Sequence, residues 1–198
     1  ITDSKKRNER VRELMEVVGL ADRLVNTYPH ELDGGRRQRI GIARALAMKP
    51  QLVVCDEPAS ALDVSIQAQI LNLMQGLQKK MGLTYIFITH DLSVVNHFAD
   101  DIAVMYLGEL IEKAPSVTLF DKPMHPYTQA LLSAIPVPSL KRKRTRIIMK
   151  GEITSPINPK PQCRFYSRCP KATVDCQAAP PPLQEIETGH FVACHLIK

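Results

Sequence analysis

Residues 30–63 read HELDGGRRQRIGIARALAMKPQLVVCDEPASALD. Two glycines, Gly34 and Gly35, stand at the mouth of a helix expected over residues 36–48. A Lys49-Pro50 break then leads into a short apolar run, Leu52-Val53-Val54-Cys55, which ends in Asp56-Glu57. A second turn, Ser60-Ala61-Leu62-Asp63, closes the stretch.

A β-branched run bounded by Pro50 and Pro58 suits a strand buried on both faces, as in a parallel sheet. Carboxylates at the C-terminal end of such a strand stand where open α/β sheets hold ligands. Asp56 is placed to orient Mg²⁺ or its waters, because Mg²⁺ prefers one or two carboxylates plus phosphate oxygens. Glu57 is placed to polarise a water that attacks a γ-phosphate. The plainer alternative is a strand that merely ends in solvated acids. Backbone N–H groups at a helix N-terminus form an anion site, and Gly34 and Gly35 allow close approach to them. There the plainer alternative is an ordinary helix capped by Asp33. Arg37-Gln38-Arg39 after the glycines, and the acid-tipped strand further on, favour the nucleotide reading of both pieces.

The order of glycine loop, helix, Asp-Glu strand, Ser-Ala-Leu-Asp turn and then Ile88-Thr89-His90-Asp91 resembles the nucleotide-binding domain of ATP-binding-cassette (ABC) proteins. The wording HPYTQALLSAIPVP at 125–138, with four cysteines in the tail, is similar more narrowly to the ATPase subunits of oligopeptide and dipeptide importers. The likeness covers residues 28–198. It implies that Leu32, Asp33, Gly34, Gly35 and Arg36 form the signature loop, that Asp56 is the Walker B acid and that Glu57 is the catalytic carboxylate. Ser60 to Asp63 matches the D-loop, and His90 matches the switch histidine that contacts the γ-phosphate.

The implied fold is α/β: the C-terminal part of an ABC nucleotide-binding domain over 1–114, with a mostly parallel sheet, and a small Cys-rich module over 115–198. The implied cofactors are ATP and Mg²⁺. The implied partners are a second ABC ATPase subunit in a head-to-tail dimer, two membrane permease subunits and, indirectly, an extracytoplasmic peptide-binding protein. No nucleic acid is among them. The implied place is the cytoplasmic face of the cell membrane.

Two positions depart from the family's usual Leu-Ser-Gly-Gly-Gln, with Asp33 in place of the serine and Arg36 in place of the glutamine. A carboxylate facing a γ-phosphate is repelled by about 3–4 kcal/mol per unit charge at ~4–5 Å and an effective dielectric near 20. Arg36 lies three residues on, on the same helical face, where it can neutralise Asp33. Either the loop is compensated and works, or this half-site is degraded for hydrolysis.

The chain has 198 residues and 44% hydrophobic content, enough for a sizeable core. No apolar run approaches the ~18 residues of a membrane span, and no signal-peptide pattern occurs. The first residue is Ile1, and no G-x-x-x-x-G-K-[ST] phosphate loop is present. In the family that loop precedes the signature, so the expectation is the C-terminal part of a longer protein, inactive by itself. Residues 3–18 read as an amphipathic helix with Val11, Leu14 and Val18 on one side and Gly19 as its stop. Residues 64–80 form another, with Ile66, Ile70, Leu73, Met74 and Leu77 on its stripe and Met74 as core filler. A strand over 84–89 delivers His90, a short helix follows over 91–98, and 102–107 with 109–112 reads as a hairpin turning at Gly108.

From Pro115 the composition shifts. Prolines fall at 123, 126, 136, 138, 156, 159 and 161, and a basic run holds Lys141, Arg142, Lys143, Arg144, Arg146 and Lys150. Such a run is a solvated linker or, with a net charge of +6, a contact for anionic lipid headgroups. Without interleaved aromatics it is a weaker nucleic-acid site. Cys163, Cys169, Cys176 and Cys194 crowd the tail, while Cys55 reads as a small buried hydrophobe. In a reducing compartment clustered cysteines favour metal over disulfide. Four thiolates suit a [4Fe–4S] cluster or structural zinc. The C-x5-C-x6 gaps are unlike the tight pairs of zinc ribbons, and the resemblance favours the cluster, with free thiols as the third option. His190 and His195 flank Cys194 as substitute ligands.

Two rival functions remain. A non-transport ABC ATPase acting on DNA or ribosomes predicts a coiled-coil insertion or a tandem cassette, and neither occurs in these residues. A metal-stabilised binding module with a vestigial ATPase half is favoured by Asp33 and opposed by the intact Asp56, Glu57, Asp63 and His90. The solute, whether peptide, nickel or another, is not legible.

Overall fold

Asp3 and Gly19 bracket the first helix. The Asp3 carboxylate accepts a hydrogen bond from Lys5 N at 2.8 Å and caps α1 (Ser4–Val17). Gly19, at φ 68°, ends it. The computed structural model describes residues 3–60, 62–135, 146–149, 151–152, 155 and 157–197. Ala61, Lys150 and the basic positions Lys141, Arg142, Lys143 and Arg144 lie outside the described residues.

The chain forms two compact units, Ile1–His90 and Asp91–Lys198, a division at a different place from the composition boundary at 114/115. In the first unit α1 is followed by α2 (Gly34–Leu46), β1 (Leu52–Asp56), α3 (Val64–Met81) and β2 (Thr84–Ile88). Val18, Leu20, Ala43, Leu46, Leu77 and Leu83 share one core, with Leu14, Met15, Ile40 and Leu73 packed against it. Val11, expected on the same stripe, is 39% exposed, because α1 packs by its C-terminal half. On α3 the expected stripe is buried at Ile70, Met74 and Leu77, each burial worth about 1.5–3 kcal/mol. Gly82 in the left-handed region (φ 64°) stops the helix.

Strands β1 and β2 pair in parallel, with Leu52 opposite Thr84 and Asp56 opposite Ile88. A parallel pair needs a crossover, and α3 provides it. The expectation of a strand buried on both faces does not hold within this unit. Val53, Cys55, Tyr85 and Phe87 are half-buried, while Leu52, Val54, Ile86 and Ile88 are exposed. A β-branched run is apolar on both sides whatever covers it, so composition cannot tell how many helical layers the unit supplies.

The second unit corrects the expectation of a mostly parallel sheet. After α4 (Leu92–Phe98) come β3 (Asp101–Tyr106), β4 (Glu109–Pro115), α5 (Ser116–Asp121), α6 (Pro126–Ser133), α7 (Val174–Ala178), β5 (Gln184–Glu187) and β6 (His190–Val192). The strands form an antiparallel sheet in the order β3-β4-β6-β5. The hairpin expected at Gly108 is present. Leu107 (φ 47°) and Gly108 (φ 80°) are both left-handed, as a two-residue hairpin turn requires, and so short a link admits no parallel partner. The tail contributes Phe165 to a core of Ile102, Val104, Tyr106, Ile111, Ala114 and Leu119. Phe165 meets Tyr106 and Tyr127 edge-on, with ring centroids 5.2 and 5.4 Å away.

Candidate active site

The carboxylate at the tip of β1 and the imidazole just past the tip of β2 meet. His90 Nδ1–H donates to Glu57 Oε1 at 2.8 Å, and both side chains are open to solvent, 74% and 47% exposed. The parallel register explains the meeting. Asp56 pairs with Ile88, and Glu57 N–H donates to Ile88 O at 2.9 Å, one residue beyond the last ladder pair. Glu57 itself is left-handed, with φ 45°. That conformation costs a non-glycine residue about 1–3 kcal/mol, and such strain concentrates at functional sites. The His90 hydrogen bond, and after it one from Ser60, hold the Glu57 carboxyl below the usual glutamate range, so it is ionised at neutral pH. Asp56 is exposed beside it. Its hard oxygens fit a Mg²⁺ ion that draws its remaining ligands from phosphate and water.

Ser60 Oγ donates to Glu57 O at 3.2 Å, and Ser60 N–H donates to the same oxygen at 3.3 Å. Asp63 caps α3. Its Oδ1 accepts from Ser65 N, Ile66 N and Ser65 Oγ at 3.1, 3.0 and 2.8 Å. Those bonds, the one from Ile66 N–H first, lower its pKa. Within this chain Asp63 therefore starts a helix.

The expected signature loop opens α2. Asp33 is its N-cap, accepting from Arg36 N at 2.7 Å, and Arg36 Nε lies 3.4 Å from Asp33 Oδ2. The capped-helix reading and the charge-neutralised reading are thus both realised. Leu32 is 4% exposed and anchors the loop from below. The glycines have a packing reason as well as an anion-binding one. A Cβ on Gly35 would stand 2.7 Å from Ile66 Cγ2, and one on Gly34 would stand 3.0 Å from Leu62 Cδ2. The loop lies on the turn that enters α3. Beside it opens a groove of about 320 Å³ whose lining includes Arg23, Asp33, Gly35, Arg36 and Arg39.

The tail cysteines are a weaker match to expectation. Cys163, Cys169, Cys176 and Cys194 are free thiols. Among the described residues no three histidines, cysteines or carboxylates stand where they would hold a metal ion. Burial pushes the Cys163 thiol up to about 11, and burial likewise raises Cys169 and Cys194. The histidines suggested as substitute ligands are engaged elsewhere. His190 Nε2 bonds Glu112, and His195 Nε2 donates to Ala179 O at 2.9 Å. Cys55 is half-buried, and burial raises its pKa.

Sequence reasoning missed Glu112. Its carboxylate has no exposed surface and accepts from Met124 N, His125 N and His190 Nε2 at 2.7, 2.9 and 2.8 Å. The available signal was an acid between Leu110 and Ala114 on the inward side of a hairpin strand.

Two family models match the chain, ABC transporter over residues 2–60 and Oligopeptide/dipeptide transporter, C-terminal region, over 111–176. Over these segments the chain matches the ABC transporter family. It is 55% identical over 195 residues to the oligopeptide transport ATP-binding protein AppF of Bacillus subtilis, covering 97% of this chain and 59% of that protein. It is 52% identical over 191 residues to the dipeptide transport ATP-binding protein DppF of Haemophilus influenzae, covering 96% and 58%. The chain thus spans somewhat under three fifths of the length of these two relatives. Among solved ABC structures, cbiO1 from Clostridium perfringens, described as part of the complex cbiONQ, superposes with a TM-score of 0.56 at 29% identity, over 62% of this chain and 48% of that one. The dimeric cassette MJ0796 bound to ADP and Pi gives 0.52 at 32% identity, over 59% and 50%. Among the described residues no helix is long and apolar enough to cross a membrane.

Proposed function

We propose that this chain is the catalytic and signature-bearing part of an ATPase subunit that energises peptide import. The observation that carries the reading is the Glu57–His90 hydrogen bond at the tips of two parallel strands. Glu57, ionised and left-handed, takes the proton of the attacking water as general base. His90 orients Glu57 and faces the γ-phosphate. Asp56 would hold Mg²⁺, which when bound offsets charge on the phosphates. Chemistry of this kind is positioning and electrostatics rather than covalent catalysis. Leu32, Asp33, Gly34, Gly35 and Arg36 close the nucleotide of a second ATPase subunit from across a head-to-tail interface, with the D-loop from Ser60 to Asp63 beside them. A match to a cassette solved as a dimer with ADP and Pi supports that assembly.

ATP closes the pair and hydrolysis lets it open, a ligand-driven population shift that drives two permease subunits at the cytoplasmic face of the membrane. A peptide-binding protein delivers the cargo outside. Peptide is favoured over nickel or another solute by the relatives' names and by the C-terminal region matched at 111–176. Residues 1–114 carry the ATPase motifs and 115–198 the importer-type tail. The experiment is Glu57→Gln in the assembled transporter. ATP turnover is expected to fall by at least a factor of about 10² with ATP binding retained. Unchanged turnover refutes the reading.

The four tail cysteines have the donor chemistry of a cluster site, although among the described residues no three metal-ligating side chains stand where they would hold an ion. At a Zn–S bond near 2.3 Å a tetrahedral zinc draws its sulfurs to within about 3.8 Å of one another. A four-iron cluster, with one thiolate on each iron, spreads them wider. What supports the cluster reading is the four-thiol donor set itself. Anaerobically purified protein is expected to carry iron and acid-labile sulfide. Zinc alone, or bare thiols, refutes this part.

A further inference from the structure

The backbone of Glu57 is held on both sides of its Cα. Its N–H is held by Ile88 O at 2.9 Å, on the strand that leads to His90. Its carbonyl is held by Ser60, through the hydroxyl at 3.2 Å and the N–H at 3.3 Å. Between the clamps the residue is left-handed, with φ 45°. An extended residue there would continue the alternation of β1 and send the side chain to the other side of the strand. The left-handed turn swings the carboxylate across to the neighbouring strand tip, where His90 stands 2.8 Å away.

We propose that Ser60 is a positioning residue for the catalytic carboxylate: by pinning the Glu57 carbonyl from inside the following turn, it holds the left-handed geometry that aims Glu57 at His90 and at the attacking water. The family resemblance places Ser60 in the D-loop of the dimer interface. The geometry gives it a second task, inside its own subunit. The proposal rests on the reading of Glu57 as general base. It differs from a nucleotide-contact role in what it predicts, because a residue that only aims the base alters the chemical step and leaves ATP binding alone.

The test compares Ser60→Ala, Ser60→Thr and Glu57→Gln in the assembled transporter, with kcat and KM for ATP measured separately. Ser60→Ala removes the hydroxyl from both the Glu57 carbonyl and its carboxyl, and is expected to lower kcat about five- to tenfold, with KM within about twofold and an unchanged melting temperature. Ser60→Thr, which keeps the hydroxyl, is expected to restore kcat to within about twofold. A wild-type kcat in Ser60→Ala, a rise in KM instead, or failure of the threonine to rescue overturns the proposal. An independent readout needs no turnover. In this chain the ring ¹⁵N shifts of His90 report its bond to Glu57, and Ser60→Ala is expected to move them toward those of a free imidazole. If Glu57→Gln leaves turnover intact, the catalytic reading is lost. The His90 shifts then still decide whether Ser60 sets the Glu57 geometry, and unmoved shifts refute it.

Discussion

Glu112 and His190 lie 78 residues apart in sequence and 2.8 Å apart in space, both without exposed surface. The imidazole Nε2–H donates to the carboxylate, which also takes the N–H groups of Met124 and His125, so one side chain ties β4, β6 and the entry to α6 together. Glu112→Ala leaves three buried donors without an acceptor and is expected to destabilise the protein by about 3–5 kcal/mol in urea unfolding. Glu112→Gln, which retains an acceptor oxygen, is expected to lose less. A loss below about 1 kcal/mol in the alanine variant would show that the network contributes little.

His125 carries a pH dependence of its own. Burial lowers its pKa from 6.5 to about 4, against the opposing pull of Glu112. Its Nδ1 accepts from Tyr127 N at 3.0 Å, a bond that only the unprotonated nitrogen can make. The fold therefore favours the neutral ring, and protonation favours the unfolded chain. This contribution to stability is fully present above about pH 6.5 and is lost as pH falls from there toward 4, a change on the order of 3 kcal/mol. Urea midpoints across that range should fall less steeply in His125→Asn, which keeps a capping acceptor and does not titrate. Equal slopes in the two proteins would remove His125 from the account.

Asp33 and Arg36 are expected to behave as a pair. Asp33→Ala loses the cap of α2 and should cost about 1 kcal/mol of stability, whereas Asp33→Ser keeps a capping oxygen and should cost little. The exposed ion pair adds only a few tenths of a kcal/mol to the fold, so its importance is to the charge of the loop. In ATPase assays of the assembled transporter, Arg36→Gln is expected to lower activity, and Asp33→Ser added to it to restore activity to the parent level. A large gain above the parent in the double variant would mean a degraded half-site instead.

Gly35 sits inside a helix, where alanine ordinarily gains stability by up to about 1 kcal/mol. Here the new methyl would stand 2.7 Å from Ile66 Cγ2, on the body of a β-branched side chain with little freedom to turn away. Overpacking of this kind costs about 1–3 kcal/mol, so the clash outweighs the propensity gain and Gly35→Ala should lower the melting temperature. Ile66→Ala in the same chain should recover most of the loss. Stabilisation by Gly35→Ala would show that α3 moves aside freely.

What the sequence determined by itself is short-range. Caps, stops and stripes depend on residues within a turn or two of one another. Asp33 as cap, Gly19 as a stop, the buried stripe of α3 and the hairpin at Gly108 could therefore all be read in advance. So could the residue types of the site, since acids at a strand tip and glycines at a helix mouth are local patterns. Tertiary structure decided whatever depends on partners far along the chain. Nothing near Glu57 in sequence announces that its backbone turns left-handed and meets an imidazole 33 residues later; parallel register and the Ile88 carbonyl bring that about. Nothing near Glu112 announces His190, and no cysteine spacing states how far apart four thiols come to rest. The exposed face of β1 and β2 follows the same logic. Hydrophobicity records that a surface favours burial, while only packing supplies the neighbour that buries it.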